Sequence, residues 1–163
     1  MNAVLVEAVM FKQGHTKTTD FTESRWNDMG LDINIKGMSY EKTYHCGYIT
    51  FGNYRCKVAE AYNKEFAEIY KKKYENASYR FTDEDIKRMN ELCNDDLDLF
   101  LWHSDCDGKL TWKECKAIYN AMKDLKVEMH WHNYGTMNFY DMHQQWLNMF
   151  KFCWKHRVTM WFS

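Results

Sequence analysis

The sequence has no proline, no marked excess of one charge and no long apolar run, and each absence narrows the possibilities. Without proline, no rigid linker divides the 163 residues. The 22 basic and 23 acidic residues give a formal net charge of -1, so general nucleic-acid binding is not expected. No stretch approaches the roughly 18 uninterrupted apolar residues of a membrane span, so no membrane association is expected.

The cysteines also lack a pattern, because they form no C-x-x-C pair and no regularly spaced disulfide framework. We interpret most of them as buried thiols of a reducing compartment, which predicts a cytoplasmic protein. The six cysteines are Cys46, Cys56, Cys93, Cys106, Cys115 and Cys153.

Apolar residues are abundant, since 45% of the chain is hydrophobic and 17% is aromatic. This composition predicts a well-packed core, and the length fits one domain. Residues 1–28 show no clear periodicity, whereas a regular pattern begins at Met29. We therefore predict an irregular extension over 1–28 and a single globular domain over 29–163.

Met29 is also a candidate start codon. Arg25 and Trp26 can be encoded as AGGTGG, a bacterial ribosome-binding sequence, and the next two codons then supply a spacer. We therefore hypothesise that translation begins at Met29 and that the first 28 residues are an annotation artefact. Mass spectrometry of protein made from the native gene tests this, because a mass that includes Met1 contradicts it.

Two segments near the ends of the predicted domain alternate apolar and polar residues with the period of a half-buried strand. These segments are 31–36 and 157–162. We expect them to pair with each other and so to tie both ends of the domain together. Residues 48–50 and 127–131 are candidates for extra strands.

Between these strands the apolar period becomes that of helices, and the pattern predicts about five of them. The longest is expected over about 51–74. The predicted fold class is therefore α+β, a mainly helical single domain with a small sheet. The other helices are expected to begin at Thr82 and Thr111 and to cover about 96–102 and 140–155.

The most informative motif is an acidic loop at residues 103–114, HSDCDGKLTWKE. An EF-hand loop needs oxygen ligands at its first, third and fifth positions, glycine at the sixth, a backbone carbonyl at the seventh and glutamate at the twelfth. The loop meets all of these requirements except the first, which predicts a candidate Ca²⁺ or Mg²⁺ site. Its residues are His103, Asp105, Asp107, Lys109 through its carbonyl, Thr111 and Glu114.

Two features count against a bound cation. His103 places an imidazole where a hard cation prefers a carboxylate, and no companion loop is found, although EF-hands usually work in pairs. An alternative needs no ion, because Thr111 and Glu114 have the spacing of a capping box at a helix N-terminus. The sequence leaves the metal site and the metal-free capped turn open.

Other chemistries have less support. Nucleophilic catalysis by Cys46 beside His45 lacks a third group that would orient the pair. A zinc site built from histidines and cysteines near the loop matches no closed zinc spacing. The residues considered for zinc are His103, Cys106, Cys115, His130 and His132.

Two surfaces are further candidates for binding. Arg55 and Lys57, with His45 and Tyr48, could form a small anion-binding face, but they fit a solvated surface equally well. Aromatic residues near the C-terminus could stack on a base or line a ligand pocket, although their spacing is that of a core. These aromatic residues are Trp146, Phe150, Phe152, Trp154 and Trp161.

Three segments suggest a family: MGLD at 29–32, HCGY at 45–48, and HSDCDG at 103–108 leading into a helix. Together they resemble small uncharacterised proteins encoded by bacteriophages and bacterial prophages. The resemblance covers about residues 29–163. It implies a cytoplasmic protein of an infected or lysogenic bacterium, and it implies no activity, catalytic residue or cofactor.

These observations lead to two hypotheses on function. The first is a non-enzymatic accessory protein of phage type that binds a host protein or a small molecule. The second is a divalent-cation-binding module built on residues 103–114. A small enzyme is a third possibility, but no nucleophile, base and electrophile can be assembled from the sequence.

Overall fold

The structure, a computed structural model, describes residues 30–76, 78–93, 95–128 and 138–163. The proposed extension over 1–28 and the start at Met29 lie outside these residues. In chain order the elements are β1 (Gly30–Ile35), a 3-10 turn (Tyr40–Lys42), β2 (His45–Gly47), α1 (Tyr48–Tyr62), α2 (Lys64–Glu75), α3 (Asp83–Leu92), α4 (Asp95–Leu101), β3 (Lys109–Leu110), α5 (Trp112–Met122), α6 (Phe139–His156) and β4 (Met160–Phe162).

The four strands form one antiparallel sheet in the order β2-β1-β4-β3. Ile33 lies opposite Phe162 and Ile35 opposite Met160. The prediction that the two ends of the domain pair in a small sheet is therefore confirmed. The pairing buries one face of the sheet, because Ile33, Phe162 and their inward neighbours are at most 5% exposed.

The helices agree with the predicted class, since six α-helices accompany the sheet in the described part of the chain. The predicted helix over 51–74 is in fact two, because Asn63 has extended backbone angles and its side chain accepts a hydrogen bond from the Phe66 N–H at 3.0 Å. Asparagine favours this N-cap position, so a second helix begins there. Residues 48–50 were wrongly considered a strand, because they open α1.

Aromatic side chains fill the space between the sheet and the helices. Trp146 of α6 is fully buried and lies 5.1–5.5 Å, ring centroid to centroid, from Phe51, Phe100 and Phe150. Burying each such side chain contributes roughly 1.5–3 kcal/mol to stability. The core interpretation therefore holds for Trp146 and Phe150, whereas Trp161 is 52% exposed.

One polar pair sits inside this core. His143 of α6 is 1% exposed, its Nε2 donates to the Met122 carbonyl at 3.2 Å, and its Nδ1 accepts from the Tyr54 hydroxyl at 2.9 Å. These bonds tie α1, α5 and α6 together.

None of the described helices combines the length and the apolar composition that crossing a bilayer requires.

Candidate functional site

The loop at residues 103–114 joins α4 to α5 and includes β3. Gly108 has a φ of +106°, a conformation that side chains rarely adopt, and a Cβ there would lie 3.1 Å from the His103 ring. The Phe162 N–H donates to the Gly108 carbonyl at 3.1 Å, and Leu110 pairs with Met160 of β4. A helix, a sharp turn, a short strand and a second helix therefore follow each other as the motif predicts.

The loop already binds a cation that the chain itself supplies. Arg55 of α1 is 3% exposed, and its Nη1 lies 2.7 Å from Asp105 Oδ1. Its Nη2 donates to the His103 carbonyl at 2.7 Å, and its guanidinium lies 4.0 Å from the centre of the Phe51 ring. Oxygens at the first and third positions of the loop thus contact a guanidinium.

The same contacts rule out the proposed anion-binding face of Arg55 and Lys57. Arg55 is buried and already paired with a carboxylate. Lys57 forms an ion pair with Glu60 at 2.7 Å in the next turn of the helix. Arg55 is therefore not available to an anion in solution.

At the other end of the loop, Thr111 and Glu114 form the predicted capping box. Glu114 Oε2 accepts from the Thr111 N–H at 2.7 Å, and Thr111 Oγ1 accepts from the Glu114 N–H at 3.4 Å. The carboxylate that would hold a cation at the twelfth position is thus used to begin α5.

The side chains of the remaining candidate ligands, His103, Asp107 and Lys109, do not gather around one point either. The His103 ring packs on Phe162 with centroids 3.9 Å apart, and its Nδ1 donates to the Ser104 carbonyl at 2.8 Å. Asp107 is exposed, and Lys109 Nζ lies 5.4 Å from the Trp161 ring. Across the described ranges, no three His, Cys, Asp or Glu side chains gather as a metal site would require.

The structure also gives little support to a zinc site or to a nucleophilic cysteine. Cys115 is buried in α5 while Cys106 is exposed, and His130 and His132 lie outside the described residues. Burial raises the pKa of the Cys46 thiol to about 12, which makes it a poor nucleophile. The His45 ring bonds to other partners.

A second region, the outer face of the sheet, is open. Asp32 lies opposite His45, and Asn34 and Lys109 lie on either side of Trp161 across the strands. We call this surface, together with Lys36 and Tyr40 beside it, the open face. It arises because the polar positions of each strand point away from the core.

His45 organises one edge of the open face. Its Nδ1 bonds to Asp32 Oδ1 at 2.6 Å, its Nε2 lies 2.8 Å from Thr43 Oγ1, and its ring stacks on Tyr40 with centroids 3.6 Å apart. The order carboxylate, imidazole, hydroxyl is that of a catalytic triad. However, Thr43 Oγ1 donates to the Tyr40 carbonyl at 2.8 Å, and His45 Nε2 also lies 3.0 Å from that carbonyl. The Thr43 hydroxyl proton therefore has a backbone acceptor other than the imidazole.

A shallow groove of about 390 Å³ runs along the open face. Tyr40 and Trp161, which are 65% and 52% exposed, both line it, together with Lys36. This volume lies at the lower end of the range for small-molecule sites, roughly 300–1,000 Å³. Its other lining residues are Ile33, Asn34, Ile35, Met38 and Thr43.

Comparison with protein-family models, with curated proteins and with solved structures found no match.

The charges around the groove are unbalanced. Among the described residues, Lys36 and Lys109 take part in no ion pair. The carboxylate of Asp32, in contrast, is already engaged by His45. The open face therefore offers positive charge and aromatic surface to a ligand.

Sequence reasoning considered Trp161 as a stacking residue but missed its neighbours. The alternation in 31–36 was itself a signal, because its polar positions Asn34 and Lys36 must face away from the core. No local signal indicated that Tyr40 would lie beside the groove, since the 3-10 turn brings it there.

Proposed function

We propose that this protein is a non-enzymatic binding protein that takes up a small molecule on the open face of its sheet. The observation that carries the proposal is the exposure of Tyr40 and Trp161 along one groove. Single exposed apolar residues are ordinary on protein surfaces. Two large aromatic rings lining one groove beside polar groups have the composition of a ligand site.

The biological setting is part of the same proposal. The resemblance to phage and prophage proteins supports an accessory role in the cytoplasm of a bacterial host. The raised pKa of the Cys46 thiol, which makes it a poor nucleophile, supports binding in preference to catalysis at this face.

Nuclear magnetic resonance of the full chain with a panel of small aromatic probes tests the proposal. The chain has seven tryptophans, and Trp161→Phe would assign the Trp161 indole N–H signal. With millimolar adenosine, indole or benzoate, at least one probe should shift the signals of Trp161 and Asn34. Trp102, which is 39% exposed on a different element, is the internal control.

Two results would overturn it. No shift at Trp161 with any probe, or an equal shift at Trp102, would show that the groove is not a ligand site. If instead a stoichiometric host protein were recovered with wild type but not with Trp161→Ala, a protein partner would replace the small molecule.

A second candidate function is divalent-cation binding at residues 103–114. The observation that favours it is the backbone, because the helix, the turn at Gly108 and the strand β3 form in the order that the motif requires. The site residues would be His103, Asp105, Asp107, Lys109, Thr111 and Glu114, with Ca²⁺ or Mg²⁺ as the ion.

Arg55 competes with such an ion for Asp105, which gives a sharp experiment. Calorimetric titration with Ca²⁺ and Mg²⁺ should be carried out on wild type, Asp107→Ala and Arg55→Gln. Cation binding predicts heat that Asp107→Ala abolishes and that Arg55→Gln increases. No heat at millimolar ion in wild type and in Arg55→Gln would remove this candidate.

A further inference from the structure

We infer that the ligand of the open face is a nucleoside monophosphate, an inference that rests on the proposed function and names the class of its ligand. The face combines two exposed aromatic rings with two lysines that form no ion pair among the described residues, and a nucleotide combines a planar base with an anionic phosphate.

The rings suit a base. Both rings have neighbours that restrict them, since Trp161 is flanked across the strands by Asn34 and Lys109, and Tyr40 stacks on the His45 ring. Rings fixed in this way lose little conformational freedom when a base stacks on them. Stacking tolerates any base, because every base presents a flat π-surface.

The lysines suit one phosphate. Lys36 lines the groove, and Lys109 lies next to Trp161 with its Nζ 5.4 Å from that ring. A phosphate monoester carries a charge of about -1.5 to -2 near neutral pH, which two lysines match. Of the carboxylates nearby, Asp32 is engaged by His45, and Glu41 lines a neighbouring groove.

The same count of charges disfavours a nucleic-acid polymer. Proteins that bind polymers often neutralise roughly 6–10 phosphates, whereas this face presents two lysines, Lys36 and Lys109, and the whole chain has a formal net charge of -1. The inferred ligand is therefore a free nucleotide and not a nucleic-acid polymer.

The inference is tested by titrating the full-length chain with AMP, UMP, adenosine, inorganic phosphate and a single-stranded oligonucleotide, using calorimetry and the Trp161 indole signal. AMP and UMP should bind, adenosine should bind about tenfold more weakly than AMP, and phosphate alone should bind more weakly still. Added salt should weaken AMP more than adenosine.

Variants separate the contribution of the base from that of the phosphate. Trp161→Ala should weaken both AMP and adenosine by roughly tenfold, because a stacked ring is lost. Lys36→Gln with Lys109→Gln should bring AMP down to the affinity of adenosine and leave adenosine unchanged. Tyr140→Ala and Lys87→Gln change an exposed ring and an exposed lysine on other elements, and they should have no effect.

The outcomes distinguish this inference from the proposed function. If adenosine binds as tightly as AMP, or if only other aromatic probes bind, the nucleotide is wrong while ligand binding at the face stands. Tighter binding of the oligonucleotide than of AMP would replace the free nucleotide by single-stranded nucleic acid. If no probe shifts Trp161, both the inference and the proposed function fail.

Discussion

The loop at 103–114 and the open face share strand β3, but they differ in how their polar groups are satisfied. In the loop, Asp105 is paired with a buried arginine and Glu114 caps a helix. On the open face, two lysines have no ion pair within the described residues, and two aromatic rings remain largely exposed. The region with the recognisable motif uses Asp105 and Glu114 internally, whereas the region without one leaves its lysines and aromatic rings exposed.

This difference shows that an acidic motif identifies carboxylates but not the cation that they bind. In this loop, the cation that binds Asp105 is the guanidinium of Arg55. A guanidinium and a divalent cation satisfy the same oxygens. Because Arg55 is 3% exposed, its pairing with Asp105 is part of the folded core of the protein. If the comparison is right, loop substitutions should act on stability and open-face substitutions should act on binding.

The largest expected effect is that of Asp105→Ala, which leaves the buried Arg55 guanidinium without its carboxylate. Removing one partner of a buried pair costs about 3–5 kcal/mol, and we expect a value near the lower end, about 3 kcal/mol. The lower end applies because Asp105 is itself 33% exposed. Unfolding in urea measures the loss.

Asp107→Ala is the matched control, because Asp107 is exposed in the same loop. It should change the free energy of unfolding by less than about 0.5 kcal/mol. Equal losses in the two variants would show that the ion pair with Arg55 does not hold the loop.

The next effect is that of Gly108→Ala. The φ of +106° is strained for alanine, and the new Cβ would lie 3.1 Å from the His103 ring. We expect a loss of about 2 kcal/mol in thermal unfolding. Gly47→Ala is the control, because nothing lies within 4 Å of a Cβ there. Similar melting temperatures for the two variants would mean that the turn is not constrained.

A pH-dependent effect is expected in the core, where burial lowers the pKa of His143. An unfolded histidine takes up a proton near pH 6.5, and the folded protein resists that proton. The unfolded state therefore binds more protons below about pH 6.5, so stability falls as the pH falls through that region.

Urea unfolding between pH 7.5 and pH 5 measures this dependence on wild type and His143→Gln. The free energy of unfolding of the variant should depend less steeply on pH, because its amide does not titrate in this range. Identical slopes would show that His143 does not contribute.

Apart from the control variants, the smallest effect on stability is expected for Trp161→Ala. The side chain is half exposed, and its cross-strand and cation–π contacts are each worth about 1 kcal/mol or less. The loss should therefore be well below that of Asp105→Ala, whereas the proposed ligand binding at the open face should weaken. A loss as large as that of Asp105→Ala would mean that Trp161 is structural, which would remove the contrast between the two regions.

The sheet could be predicted because its signal is periodic. Alternation in 31–36 and 157–162 places the apolar side chains on one face, and two such strands need each other to bury it. The helix break at Asn63 was missed because the apolar stripe continues through it on both sides. The capping box at Thr111 was found because it depends on residues three positions apart.

The pairing of Arg55 with the loop could not be predicted. Arg55 and His103 are 48 positions apart, and no local pattern in the sequence joins them. The open face was missed for a related reason, since its residues come from four strands and a turn whose order in the sheet differs from their order in the chain.

By itself, the sequence determined the periods of the strands and helices, the caps, the glycine turn and the near balance of charge, because these depend on residues within a few positions of one another. Only the tertiary structure decided that a guanidinium meets Asp105 and that Tyr40 and Trp161 line one groove. These contacts exist because distant elements pack on a common core, and packing depends on the shape of the whole chain.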